Sequence, residues 1–182
     1  MHDMTASNLR SAYGGESMAH MRYMAWAARA EQEGFPNVAR LWRAISYAEQ
    51  VHATGHFGVL ANQAGAFAVT SMAGFGVGST SENLAGSIEG ELFEINEMYP
   101  AYKATAVHQE EKGAERSFHY AVSAEAIHAA MFQEAKQAID AGRDLELGPV
   151  HICEVCGYTV EGEVPDRCPV CQAKGNKFRA FA

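Results

Sequence analysis

One short phrase occurs twice in the 182 residues, as Ala48-Glu49-Gln50-Val51-His52-Ala53 and as Ala124-Glu125-Ala126-Ile127-His128-Ala129. Each sets a Glu-x-x-His in an apolar helical pattern. Residues three apart share one face of a helix, so each phrase offers a carboxylate and an imidazole to one point in space. A Gly-Glu pair stands upstream of each at nearly the same distance: Glu16 precedes Glu49 by 33 residues and Glu91 precedes Glu125 by 34. Two such helices, with one Glu from each of two others, supply what a carboxylate-bridged di-metal centre in a four-helix bundle requires. The symmetric minimum is Glu16, Glu49, His52, Glu91, Glu125 and His128.

Glu91, Glu94 and Glu97 recur at steps of three, each less than a full turn, so all three cannot face inward. Glu91 and Glu94 border the stripe of Leu84, Ile88, Ile95, Met98 and Tyr102 and are assigned as ligands, while Glu97 drifts to the surface. Five carboxylates and two imidazoles are hard ligands that suit iron or manganese and exceed what zinc or magnesium needs. His20 and His56 lie one turn from Glu16 and His52 and are read as packing or supporting residues, because the ligand set is already full. Tyr23 and Tyr99 are either core aromatics or phenols hydrogen-bonded to a ligand carboxylate, since a buried hydroxyl needs a partner.

All four cysteines fall in Cys153-Glu154-Val155-Cys156 and Cys168-Pro169-Val170-Cys171, two Cys-x-x-Cys knuckles separated by eleven residues. Four thiolates at this spacing make a tetrahedral site, which zinc and a single iron share. With no cysteine in the first 152 residues, this is a metal knot in a reducing compartment, the cytoplasm, and not a disulfide framework.

These residues need four helices to position them. Leu9, Tyr13, Glu16, His20, Tyr23 and Ala27 follow helical steps up to a break at Gly34 and Pro36; Leu41, Ile45, Glu49, His52, His56 and Leu60 follow a second series. The third reads Leu84, Ile88, Glu91, Ile95, Met98 and Tyr102, with Pro100 kinking it just past the acids; the fourth reads Phe118, Val122, Glu125, His128, Phe132 and Ile139. Each stripe carries an acid in its middle and no Lys or Arg near it. A buried carboxylate without a partner is costly unless it binds a metal.

Gly34-Phe35-Pro36 and Lys112-Gly113 are short links suited to antiparallel neighbours, whereas the uncharged stretch from Phe57 to Ser81 is long enough for a crossover down the bundle. Residues 5 to 63 and 82 to 141 read as an internal duplication, with Arg40-Leu41-Trp42 echoed by Arg116-Ser117-Phe118, so the site has a pseudo-two-fold. The fold class is therefore mainly α: a ferritin-like bundle over 1–147 and a small four-cysteine unit over 148–182, divided at Gly148-Pro149. A net charge of -8 without a basic run disfavours nucleic acid and anionic membranes as partners. No stretch reads as an export signal or a membrane span.

Taken in order, Gly15-Glu16-Ser17, the two Glu-x-x-His phrases, Gly90-Glu91 with Glu94 and Met98-Tyr99-Pro100, and Cys153-Glu154-Val155-Cys156-Gly157-Tyr158 with Pro165 to Cys171 resemble rubrerythrin over essentially the whole chain. The resemblance implies a peroxidase of oxidative-stress defence, whose diiron site reduces hydrogen peroxide and is fed by a rubredoxin-like iron. It implies Glu16, Glu49, Glu91, Glu94, Glu125 and His128 as diiron ligands, with one iron moving between Glu94 when oxidised and His52 when reduced. It implies Tyr23 and Tyr99 as the tyrosines that hold ligand carboxylates, and Cys153, Cys156, Cys168 and Cys171 as ligands of the third iron. It also implies a head-to-tail homodimer, with one subunit's rubredoxin-like iron near the other's diiron site, and an external donor such as rubredoxin or an NAD(P)H-dependent reductase. No dinucleotide fingerprint lies in the chain itself. The competing readings are ferroxidase, iron-storage or oxygen-reducing chemistry, and a zinc-ribbon interaction module on a helical scaffold.

Overall fold

The computed structural model describes residues 1–182. Helix α1 (Asp3–Gln32) ends where Gly34 takes φ +86°, and the Phe35 and Gly34 amides donate to Ala30 and Glu31 carbonyls. This Schellman closure satisfies the last carbonyls and needs a residue that tolerates the left-handed region. Pro36 then opens α2 (Pro36–Val59), where its missing amide hydrogen costs nothing. Helices α1 and α2 form the first antiparallel pair.

Residues 60 to 79 carry no helix or strand and run the length of α1's outer face. Ser11 donates to the Thr70 carbonyl and Trp26 Nε1 to that of Gly76, and the Arg10 guanidinium lies over the Phe67 ring. The segment covers α1 while leaving Phe75 and Met72 in solvent. A Ser79–Glu82 capping box starts α3 (Thr80–Phe93), each side chain bonding the other's backbone amide.

The third helix of the bundle departs from a uniform α-helix. A π-helical turn, Glu94–Met98, joins α3 to α4 (Tyr99–His108), and the Tyr99 amide reaches back five residues to the Glu94 carbonyl. Pro100 sits in the first turn of α4, so the widened turn precedes the proline where a kink was expected. The next link also differs. Lys112 and Gly113 lie in the first turn of α5 (Lys112–Asp140), and the chain turns instead at Gln109–Glu111, where Glu110 adopts φ +58° and the Glu111 amide donates to the Ala106 carbonyl.

Two apolar clusters close the bundle, one around Tyr23, Trp26, Trp42 and Phe132, the other around Leu9, Tyr99 and Phe118. The glutamates lie between them, shut off from water on both sides. After α5 the chain forms a three-stranded antiparallel sheet in the order β2-β1-β3, from β1 (Val150–Cys153), β2 (Thr159–Glu161) and β3 (Phe178–Phe181). Val150 and Ile152 of β1 bury against Ala44 and Ala48 of α2, whose small side chains let strand and helix approach closely. Tyr120 of α5 packs on the cysteine cluster from the other side. No helix is long and apolar enough to cross a membrane.

Candidate metal centre

Every helix of the bundle delivers its acid to the interior. Glu16 from α1, Glu49 and His52 from α2, Glu91 from α3, and Glu125 and His128 from α5 are all buried. Their donor atoms fall into two groups, Glu16-Glu49-His52-Glu125 and Glu49-Glu91-Glu125-His128, within each of which all lie inside 4.8 Å of one another. Glu49 and Glu125 belong to both, one oxygen towards each group, the disposition of carboxylates that bridge two cations. His52 Nδ1 is 3.0 Å from oxygens of both Glu49 and Glu125, and His128 Nδ1 is 2.7 Å from the other oxygen of Glu125.

The donor set fits a pair of cations. Glu16 Oε2, Glu49 Oε1, Glu91 Oε2, both Glu125 oxygens and His128 Nδ1 are buried without a hydrogen-bond partner, and six such atoms converging on one point are untenable in a core unless ions satisfy them. Without ions, protons take their place. Burial, and then the charges of neighbouring acids, push the pKa values of Glu16, Glu91 and Glu94 well above the carboxylate range. Burial opposes charge on the histidines too, but Glu125 and Glu49 outweigh it and lift His52 to about 10 and His128 to about 9. Glu49, despite its burial, is held low by the neighbouring His128 and His52.

Glu94 stands outside both groups. It opens the π-helical turn, half-buried, with its carboxyl enclosed by the bundle, while Glu97 is exposed. The structure thus has His52, and not Glu94, grouped with Glu16 and the shared acids. Around this shell the remaining polar residues support the acids. Tyr23 donates to Glu91 Oε1 at 2.6 Å, and Tyr99 donates to Glu16 Oε1. With its hydrogen committed to Glu16, the Tyr99 oxygen accepts from His56 Nε2 at 3.0 Å, and His56 Nδ1 is then left to accept from Ser117 at 2.8 Å. Burial, and then the His52 charge, press the His56 pKa down to about 3, consistent with a neutral ring in this Ser117–His56–Tyr99–Glu16 chain. His20 turns away, its Nδ1 2.8 Å from the Ser46 carbonyl.

Cys153, Cys156, Cys168 and Cys171 form a second cluster with sulfurs 3.5 to 3.6 Å apart in the pairs Cys156–Cys168 and Cys153–Cys171. All are free thiols, three of them buried. Four sulfurs gathered this way fit one tetrahedral ion. This unit rests on its own chain's histidines: Thr159 Oγ1 lies 2.8 Å from His128 Nε2, and Gly157 sits so close to His52 that a Cβ there would fall 2.0 Å from Nε2. The sequence-based expectation placed the four-cysteine unit beside a partner's site; here the chain brings it to its own, through the β1–α2 packing.

The family pattern Rubrerythrin matches residues 7–136, and Rubrerythrin, rubredoxin-like domain, matches residues 151–179. The chain belongs to the rubrerythrin family. It is similar to Rubrerythrin-2 of Clostridium acetobutylicum, 51% identical over 178 residues that cover 98% of this chain and 97% of that one. Nigerythrin of Nitratidesulfovibrio vulgaris is 32% identical, over 97% of this chain and 86% of its own. A solved structure of fully reduced, all-ferrous nigerythrin superposes with a TM-score of 0.86 at 31% identity, covering 100% of this chain and 88% of that one. As a rubrerythrin-family protein the chain combines a ferritin-like diiron carboxylate and histidine site with a rubredoxin-like four-cysteine site.

Three residues of the rubrerythrin-type site escaped sequence reasoning. Ser117 carried a signal, the Arg116-Ser117-Phe118 echo of Arg40-Leu41-Trp42, but its hydroxyl had no visible target. Gly157 and Thr159 follow the second cysteine directly, and only the docking of the small unit shows what they touch.

Proposed function

We propose that this chain is a hydrogen peroxide reductase: it takes two electrons from an external donor, one at a time, through the rubredoxin-like iron and delivers them with two protons to peroxide, yielding two waters. The observation that carries the reading is the seating of an electron-carrier site directly on the two histidines of a two-cation site. Iron storage has no use for such an input, because oxidising ferrous iron releases electrons.

Glu16, Glu49, His52, Glu91, Glu125 and His128 would hold two iron ions, and Cys153, Cys156, Cys168 and Cys171 a third. When bound, the iron pair supplies Lewis acidity and one electron per ion to an oxygen–oxygen bond. The protein supplies the rest. Glu94 would serve as the seventh bundle ligand, the alternative to His52. In the arrangement seen here it is an enclosed carboxyl group outside the six-residue set, able to hold a proton on its own oxygen and give it up at the site. Tyr23 and Tyr99 fix the Glu91 and Glu16 carboxylates, and the two apolar clusters keep bulk water from the reacting groups. We place the division between the bundle and the rubredoxin-like unit at 147/148. The four free thiols support a reducing compartment, the cytoplasm. A homodimer, and rubredoxin or an NAD(P)H-dependent reductase as donor, complete the proposal.

Iron-loaded protein with such a donor is expected to consume one peroxide per two electrons. His52→Ala should slow that turnover about 10- to 100-fold, the usual cost of disturbing a metal's surroundings, while leaving the four-cysteine iron spectrum unchanged. Normal turnover in the variant would count against ligand exchange at His52.

A further inference from the structure

The two histidines present one edge of their rings to the acids and the opposite edge to the rubredoxin-like unit. His52 Nδ1 and His128 Nδ1 face Glu49 and Glu125. His52 Nε2 is buried and unpartnered behind Gly157, and His128 Nε2 meets Thr159 Oγ1. Cys156, Gly157, Tyr158 and Thr159 are consecutive, so one four-residue stretch supplies a sulfur to one metal site and backs both imidazoles of the other.

Thr159 has a single hydroxyl hydrogen, and it is donated to the Gly157 carbonyl at 3.1 Å. The Thr159 oxygen can therefore only accept from His128. The imidazole proton is held at Nε2, and the Nδ1 lone pair is left for a cation between Glu125 and Glu49. Thr159 comes from β2, paired to β1 at Ile152, next to Cys153, so its position depends on the small unit being folded. A small metal unit gains much of its folding free energy from its ion.

We propose that Thr159 is a positioning residue that locks His128 in the tautomer with Nδ1 free, and that through it filling the four-cysteine site strengthens cation binding in the bundle of the same chain. Without the hydroxyl, the buried Nε2 proton has no acceptor. The neutral ring then gains by carrying its proton on Nδ1, towards Glu125, where it opposes a cation. Because coupling between two binding sites is reciprocal, ions in the bundle also favour the folded small unit. The inference rests on the metal sites alone and stands whether or not the bundle reduces peroxide.

The test is metal binding. Anaerobic calorimetric titration of iron(II) into protein with zinc in the four-cysteine site should show bundle affinity about 10- to 100-fold weaker in Thr159→Val. Thr159→Ser, which returns the hydroxyl, should restore it. Nitrogen NMR of the zinc-loaded wild-type protein, recorded well above the His128 pKa of about 9 where the ring is neutral, should find its single proton on Nε2. Cys153→Ser with Cys171→Ser should weaken the bundle site comparably. Wild-type affinity in Thr159→Val, failure of Thr159→Ser to restore it, or a proton on Nδ1 would overturn the role of Thr159. Undiminished affinity in the cysteine variant would overturn the coupling.

Discussion

Six buried donor atoms without partners, held by four helices around one point, make the bundle interior a site that must be filled by protons or by cations. The pKa directions set how the metal-free protein answers to pH. Glu16, Glu91 and Glu94 are raised from 4.5, and His52 and His128 from 6.5 to about 10 and about 9. A group raised by folding stabilises the fold fully below its unfolded value, and that contribution is lost as pH climbs through the folded value. Glu49, His56 and Cys153 run the other way, their contributions present above 4.5, 6.5 and 9.0 and lost as pH falls, but they are three groups against five. The denaturation midpoint of metal-free protein is therefore expected to fall as pH rises from about 5 to about 9. The same series with iron(II) bound should show a metal-dependent gain that grows with pH, because the ion displaces those protons. A metal-free midpoint that rises over this range would contradict the assignment.

At the scale of elements, the helical stripes were legible because a 3.6-residue period places Leu41, Ile45, Glu49 and His52 on one face whatever surrounds them. Likewise the uncharged, glycine-rich run could only be a crossover. The π-helical turn was not legible: widening a turn by one residue leaves the apolar spacing of Met98 and Tyr102 compatible with an ordinary helix, and only the Tyr99-to-Glu94 bond reveals it. The turn at Glu110 was hidden for a related reason, since a non-glycine residue in the left-handed conformation makes the turn that Lys112-Gly113 was expected to supply. A π-helical turn is less favourable than α-helix and persists where it has a use, here holding Glu94 off the six-residue set but enclosed beside it. Deleting the exposed Asn96 should let the turn close to α-helix, raising the melting temperature while lowering peroxide turnover. A variant with a lower melting temperature and full turnover would show that the widened turn has no part in the reaction.

For the whole molecule, the decisive contact joins residues far apart in sequence, Thr159 to His128 and Gly157 to His52, and no periodicity or motif spacing records it. Both metal motifs could be read from their ligands, but how one sits on the other could not. The seating predicts that electrons pass within a chain. When a four-cysteine-dead chain (Cys153→Ser with Cys156→Ser) is mixed and reassociated with a bundle-dead chain (Glu49→Ala with Glu125→Ala), peroxide turnover should stay absent. Restored turnover would mean that the small unit serves a partner's bundle.

The most direct test of peroxide reduction itself is a single-turnover comparison. Iron-loaded protein, reduced anaerobically, is mixed rapidly with hydrogen peroxide or with oxygen at equal concentration, and the return of the ferric four-thiolate absorption is followed. Oxidation that is fast with peroxide and slow with oxygen is the predicted result. Faster oxidation by oxygen would contradict the account and favour an oxygen-reducing or ferroxidase role.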